Sequence, residues 1–160
     1  MKINTLKNSF ILFQLLFCLT LFSACFCVKI AAKSDTTVKS KAIPPTFGQE
    51  KTILLIPFST TKRYNKLVKK HATKRYHGEY IFLEMNDIYT EKYKDVHKYR
   101  YIFSSEFYTP FNSSTNKSKF FIIDRVTNET FYCPASSSFY SGVIEAYMIN
   151  LERVRLKYEH

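Results

Sequence analysis

Apolar residues are distributed along this chain in several distinct patterns, and each pattern predicts a different element. Phe10 to Phe22 is a nearly unbroken apolar run, interrupted only by Gln14 and Thr20, with Lys2 and Lys7 before it and Ser23-Ala24-Cys25 after it. As a helix this run would cover roughly 20 Å at about 1.5 Å per residue, well short of a ~30 Å hydrocarbon core. A positive head, a short apolar stretch and a small-residue exit predict an export signal over residues 1–24, cleaved rather than left spanning a membrane. From Phe26 to about Glu50 the apolar residues are single and scattered among Ala, Lys, Ser, Thr and Pro, with neither a helical nor a strand period. Residues 25–50 are therefore expected to be a flexible tether, with an end-to-end distance of roughly 25 to 30 Å.

A single folded domain is expected over residues 51–160. Thr52 to Phe58 is a continuous apolar run short enough for a strand buried on both faces, and Pro57 is expected to end it. After Ser59-Thr60-Thr61, which offers capping hydroxyls, Tyr64, Leu67, Val68, His71 and Ala72 recur at helical spacing until His77-Gly78. That predicts an amphipathic helix over about Thr61 to Tyr76. Glu79 to Met85 reads as a second strand, parallel to the first, followed by a polar connection holding one short helix capped by Asn86 or Asp87. Lys98 to Phe107 alternates, with Tyr99, Tyr101, Phe103 and Phe107 on one face and Lys98, Arg100, Ser104 and Glu106 on the other, solvent-facing one, as in a half-buried strand. Thr109 to Ser118 is polar loop, and Phe120–Asp124 and Thr130–Cys133 flank a turn as a hairpin. Finally, Tyr140, Val143, Ile144, Tyr147, Leu151, Val154 and Tyr158 form the stripe of a second packing helix. The predicted fold class is α/β to α+β: one mixed sheet of about five strands, with two main helices on one face.

Charge changes this picture. Of the 24 Lys and Arg only Lys2 and Lys7 lie in the signal, whereas all 13 Asp and Glu follow it, leaving 22 bases against 13 acids. Seven of those bases, Lys62, Arg63, Lys66, Lys69, Lys70, Lys74 and Arg75, fall on the first helix with no acid among them. Like charges at i and i+4, such as Lys62/Lys66 and Lys66/Lys70, each cost a few tenths of a kcal/mol. An anionic partner would relieve that repulsion: lipid headgroups, acidic glycans or an acidic protein face. A solvated polar face is the alternative reading. Export makes nucleic acid an unsuitable partner.

The residues Leu21-Phe22-Ser23-Ala24-Cys25 resemble the lipobox of bacterial envelope lipoproteins, although Phe22 stands where that family usually has Leu. With a Lys-, Asn-, Ile-, Phe- and Tyr-heavy composition, the N-terminal part is similar to flavobacterial-type lipoproteins. The resemblance implies that Cys25 is diacylated and becomes the mature N-terminus, anchoring the chain to a membrane in the cell envelope. It implies nothing about the activity of the domain. An ordinary secretory signal releasing a soluble binding protein or enzyme is the alternative, and Asn112, Asn116 and Asn128 begin N-x-Ser/Thr sequons consistent with it. In an oxidising compartment Cys27 and Cys133 are candidates for a disulfide, against a simply buried Cys133.

Candidate chemistry is sparse. None of Gly48, Gly78 and Gly142 sits in a phosphate loop, so no nucleotide cofactor is expected, and no Cys/His cluster suggests a metal. Cys133 with His71, His77 or His97, and the acids Asp124, Glu79 and Glu84, are candidate nucleophile or acid/base combinations, but chance placement of the former and solvated acids at strand ends account for them better. His71 lies on the apolar side of its helix and reads as packing. The twelve tyrosines fall at packing periods rather than as a sugar-stacking platform. The sequence thus points to a non-enzymatic binding or accessory domain.

Overall fold

A computed structural model describes residues 32–159 apart from 110, 113, 115, 116, 138 and 139 and the side chains of 135–137. The segment predicted to be an export signal, Cys25 and Cys27 lie outside the described residues. Strands β1 (Leu54–Phe58), β2 (Tyr80–Glu84), β3 (Tyr101–Tyr108), β4 (Lys117–Asp124) and β5 (Glu129–Ser137) form one sheet in the order β2-β1-β3-β4-β5. β1 runs parallel to β2 and β3, and the β3-β4 and β4-β5 pairs are antiparallel. With helices α1 (Lys62–Arg75) and α2 (Tyr140–Leu156), this is the expected α+β mixed sheet. β1 extends one residue past Pro57, and Tyr158 lies beyond α2, about half exposed.

The two long helices cover the same sheet face, and residues 32–35 add a helical turn in the N-terminal segment. Residues two apart on a strand share a face, so Leu54 and Ile56, Tyr101 and Phe103, and Phe120 and Ile122 all point one way. They meet Tyr64, Val68 and Ala72 of α1 and Val143, Ile144, Tyr147 and Leu151 of α2 in one buried cluster. Burying each large apolar side chain contributes about 1.5–3 kcal/mol, which makes this layer the main source of stability.

The opposite face is also partly covered, which corrects the half-buried reading of β3. The connection after β2 forms two 3-10 turns, Met85–Tyr89 and Glu91–Tyr93, instead of one short helix. Ile88, Tyr93 and Tyr99 pack there against Leu55, Leu83 and Ile102. Tyr99 therefore lies on the other side of the sheet from Tyr101, and Tyr101 to Ser104 are all buried. Arg125, in the β4-β5 turn, donates to the carbonyl oxygens of Tyr93 (2.8 Å) and Tyr99 (2.9 Å) and so fixes this connection to the sheet.

Residues 32–50 are not a flexible tether. Ala32, Ala42, Ile43 and Phe47 belong to the main core, and Ala42 and Ile43 have no exposed surface. The Tyr147 hydroxyl donates to the Ala42 carbonyl at 3.1 Å, and the Tyr101 hydroxyl donates to Thr46 Oγ1 at 3.0 Å. Gly48 closes the segment with φ +83; a Cβ there would stand 2.9 Å from Arg155 Cα, so only glycine lets the two backbones approach this closely.

Candidate functional site

The most distinctive surface is the outer face of α1. Tyr64, Val68, His71 and Ala72 pin its inner face to the sheet and to α2. At its start Thr61 makes no side-chain cap; Asn65 accepts from the Ser59 amide at 2.9 Å and donates to the Ser59 carbonyl at 2.8 Å, supplying the closure expected of the threonine hydroxyls. At its end the Tyr76 amide bonds the Ala72 carbonyl and the chain turns extended. With the inner face fixed, 100° per residue places Lys62, Arg63, Lys66, Lys69, Lys70 and Lys74 on one outer arc of about 140°. All six are exposed.

The seven cations predicted to face an anion divide six to one. Arg75 Nη2 lies 2.6 Å from Glu145 Oε1 of α2, with Nε at 3.0 Å from the same oxygen, so Arg75 belongs to the helix-helix interface. It is the only cation of α1 in an ion pair among the described residues. Glu84 and Asp87, the nearest acids in sequence after the helix apart from Glu79, cap the first 3-10 turn reciprocally, and Glu79 pairs with Lys51. Aromatic rings frame the arc. Arg63 Cζ stands 5.9 Å from the Tyr140 ring, and Lys69 Nζ stands 4.7 Å from Phe58, which stacks on Phe82 of the edge strand β2. Cation-π contacts of this kind are worth about 0.5–1 kcal/mol at exposed sites and orient the cationic heads without neutralising them.

The residues considered for chemistry are dispersed into structural roles. His71 Nε2 is 3.0 Å from Ser141 Oγ, a nucleophile-base distance, but His71 is buried between the helices and its Nδ1 has no orienting acid. Desolvation pushes the His71 pKa down, opposed by Glu145 and reinforced by Lys70, Arg75 and Lys74. The pair closes the α1-α2 interface and lines neither of the clefts described below. His77 bonds Glu152 through its amide and its ring, and His97 is exposed. Cys133 is buried in the main core with Sγ 3.5 Å from the Asp35 carbonyl oxygen; its proposed disulfide partner Cys27 lies outside the described residues. Asp124 pairs with Arg100 in the interior, Nη2 to Oδ2 at 2.9 Å. Sequence alternation put Arg100 on a wet face and gave no sign of this pair, which Thr46 and Glu50 complete from the N-terminal segment.

Clefts open at two places on the surface of the described residues. The larger, about 420 Å³, lies between residues 47–52, residues 76–79 and the end of α2. Its cations are already neutralised: Arg155 by Glu152 and Glu159, and Lys51 by Glu79. The second, about 310 Å³, is a shallow groove between Tyr108, Lys119 and Pro134. Among the described residues no group of three His, Cys, Asp or Glu side chains is arranged to hold a metal, and no helix is long and apolar enough to cross a membrane. No family model, curated protein or solved structure matches the chain.

Proposed function

We propose that this is a binding or accessory domain without enzymatic activity, held at a membrane in the cell envelope by a lipid on Cys25, and that the outer face of α1 docks on an anionic partner. The observation that carries the reading is the arc of six exposed cations, none of them ion-paired among the described residues, on a helix whose inner face is fully committed to the core. Their mutual repulsion costs a few tenths of a kcal/mol per i, i+4 pair, and α1 carries it uncompensated. An anionic surface would convert that cost into binding, at about 1 kcal/mol per basic residue close to such a surface. The packing of residues 32–50 also brings the domain close to its anchor. Only residues 26–31 separate Cys25 from the folded Ala32, at most roughly 25 Å of extended chain.

Two measurements test the two halves. Intact mass of the natively processed protein should show acyl chains on Cys25; glycan mass on Asn112, Asn116 or Asn128 instead would favour a released protein. Replacing Lys66, Lys69, Lys70 and Lys74 together with Gln should weaken binding to anionic vesicles or envelope fractions on the order of 10²- to 10³-fold at low salt and much less at high salt, where screening already weakens the wild type. Binding that is insensitive to these substitutions and to salt would defeat the reading.

A further inference from the structure

The loop that follows β3 leaves the sheet beside the first turn of α1. Phe107, near the end of β3, packs edge-on against Tyr64 of α1 at 5.8 Å and against Tyr140, the first residue of α2, at 5.9 Å. The same Tyr140 ring lies under Arg63 of the basic arc. Four residues after Phe107, Phe111 is 95 % exposed, the most exposed large hydrophobic side chain of the described residues. It stands in a turn whose next residue, Asn112, has φ 65. Phe107 and Tyr108 at the base of the loop are themselves more than a third exposed. Residues 109–116 contain no Asp, Glu, Lys or Arg, whereas Lys117 follows at once.

From this arrangement we propose that the partner of the basic face is a lipid bilayer containing anionic lipid, with the cations of α1 at the headgroups and Phe111 inserted between the lipids beside them. The inference rests on the anionic-partner reading and names the partner. Interfacial binding needs both a cationic surface and apolar side chains that sink below the headgroups, and the loop that carries Phe111 leaves the sheet at Phe107, which packs on the Tyr140 ring under Arg63. An acidic glycan would satisfy the cations but offers no apolar phase to a fully solvated ring on an uncharged loop, and an acidic protein would need an apolar pocket placed to receive that ring as well. A bilayer satisfies both, and an uncharged loop enters its interface without desolvating an ion.

The chain contains no tryptophan, so Phe111→Trp places a single indole at this exposed position. The natively processed protein would be mixed with vesicles of phosphatidylcholine, with or without phosphatidylglycerol. An acyl anchor partitions into both kinds alike, so the difference between them reads the domain. The expected result is a blue-shifted indole emission, quenched by brominated acyl chains, that needs phosphatidylglycerol and weakens with salt. In parallel, Phe111→Ser should reduce the phosphatidylglycerol-dependent binding about tenfold, the order expected for leaving one aromatic side chain in water. Indole emission unchanged while salt-dependent vesicle binding persists would overturn the insertion and leave the anionic-partner reading standing. Binding to heparin without any preference for anionic vesicles would overturn the bilayer assignment alone. Failure to bind either polyanion would defeat both.

Discussion

The side-chain amide of Asn150 on α2 donates to the Thr36 carbonyl oxygen at 3.0 Å and to the Thr36 hydroxyl at 2.8 Å, and both residues are buried. The same amide reaches the Lys33 carbonyl at 2.9 Å, and Thr36 Oγ1 donates its own proton to the Ala32 carbonyl. One side chain thus closes the turn that brings the N-terminal segment onto the core.

Asn150→Leu should therefore cost about 2–3 kcal/mol, because it strands buried acceptors as well as deleting their donor. Thermal unfolding reports the total. Hydrogen-exchange mass spectrometry localises it: protection should fall first over residues 32–43, before the sheet. Equal protection there in variant and wild type would mean that burial of Ala42, Ile43 and Phe47 holds the segment unaided.

The Arg100-Asp124 pair ties stability to pH. Burial works against the Asp124 charge, but hydrogen bonds from the Arg100 guanidinium and from the Val126 and Thr127 amides outweigh it and hold the carboxyl below its ordinary pKa. A carboxyl depressed in the folded state contributes stability that is present above its unfolded pKa, about 3.9, and lost as pH falls through the folded value. Glu152 follows the same sign: desolvation is overcome by Arg155 and by the His77 amide. Urea midpoints should accordingly be flat near neutrality and fall below about pH 4. Asp124→Asn should lower stability at pH 7 by about 3–5 kcal/mol, since it leaves Arg100 buried with only the largely exposed Glu50 as counter-ion. It should also flatten the acid limb. A variant that keeps the full acid sensitivity would place its origin elsewhere.

The two packing helices and the sheet were legible because a buried face imposes a period: Val143, Ile144, Tyr147, Leu151 and Val154 return at helical steps and are all buried. The N-terminal segment was not, because its few apolar residues are aperiodic and interrupted by Pro44-Pro45, and what fixes them are partners about 55 to 117 residues away, namely Tyr101, Tyr147 and Asn150. Alternation likewise assigns a strand residue to a face but not to a partner, so Arg100 read as wet while Asp124 and residues 46–50 enclose it. For the basic helix, pattern found all seven cations and treated them alike. The azimuth held more information: Arg75 comes one turn after His71, within about 40° of a buried position, and this turns it toward α2.

That azimuth separates structure from docking on a single helix. Arg75 and Glu145 are each about a third exposed, so their bond is partly screened, and Arg75→Gln should cost at most about 1 kcal/mol of stability. Vesicle binding should hardly change, because Arg75 points at α2 and its charge is already answered. The four-lysine variant should behave in the reverse way. Removing Lys66, Lys69, Lys70 and Lys74 relieves like-charge neighbours such as Lys66/Lys70 and Lys70/Lys74 and severs no ion pair among the described residues, so unfolding temperature should stay level or rise slightly, while salt-dependent binding falls. Among the described residues Lys69 is the one member of the four with a cation-π contact, over Phe58 and Phe82. Restoring Lys69 alone therefore recovers any small stability loss without recovering most of the binding. If the four substitutions destabilised the domain by several kcal/mol, or if Arg75→Gln abolished binding while the other six cations remained, the division between an inner structural cation and an outer docking arc would be wrong.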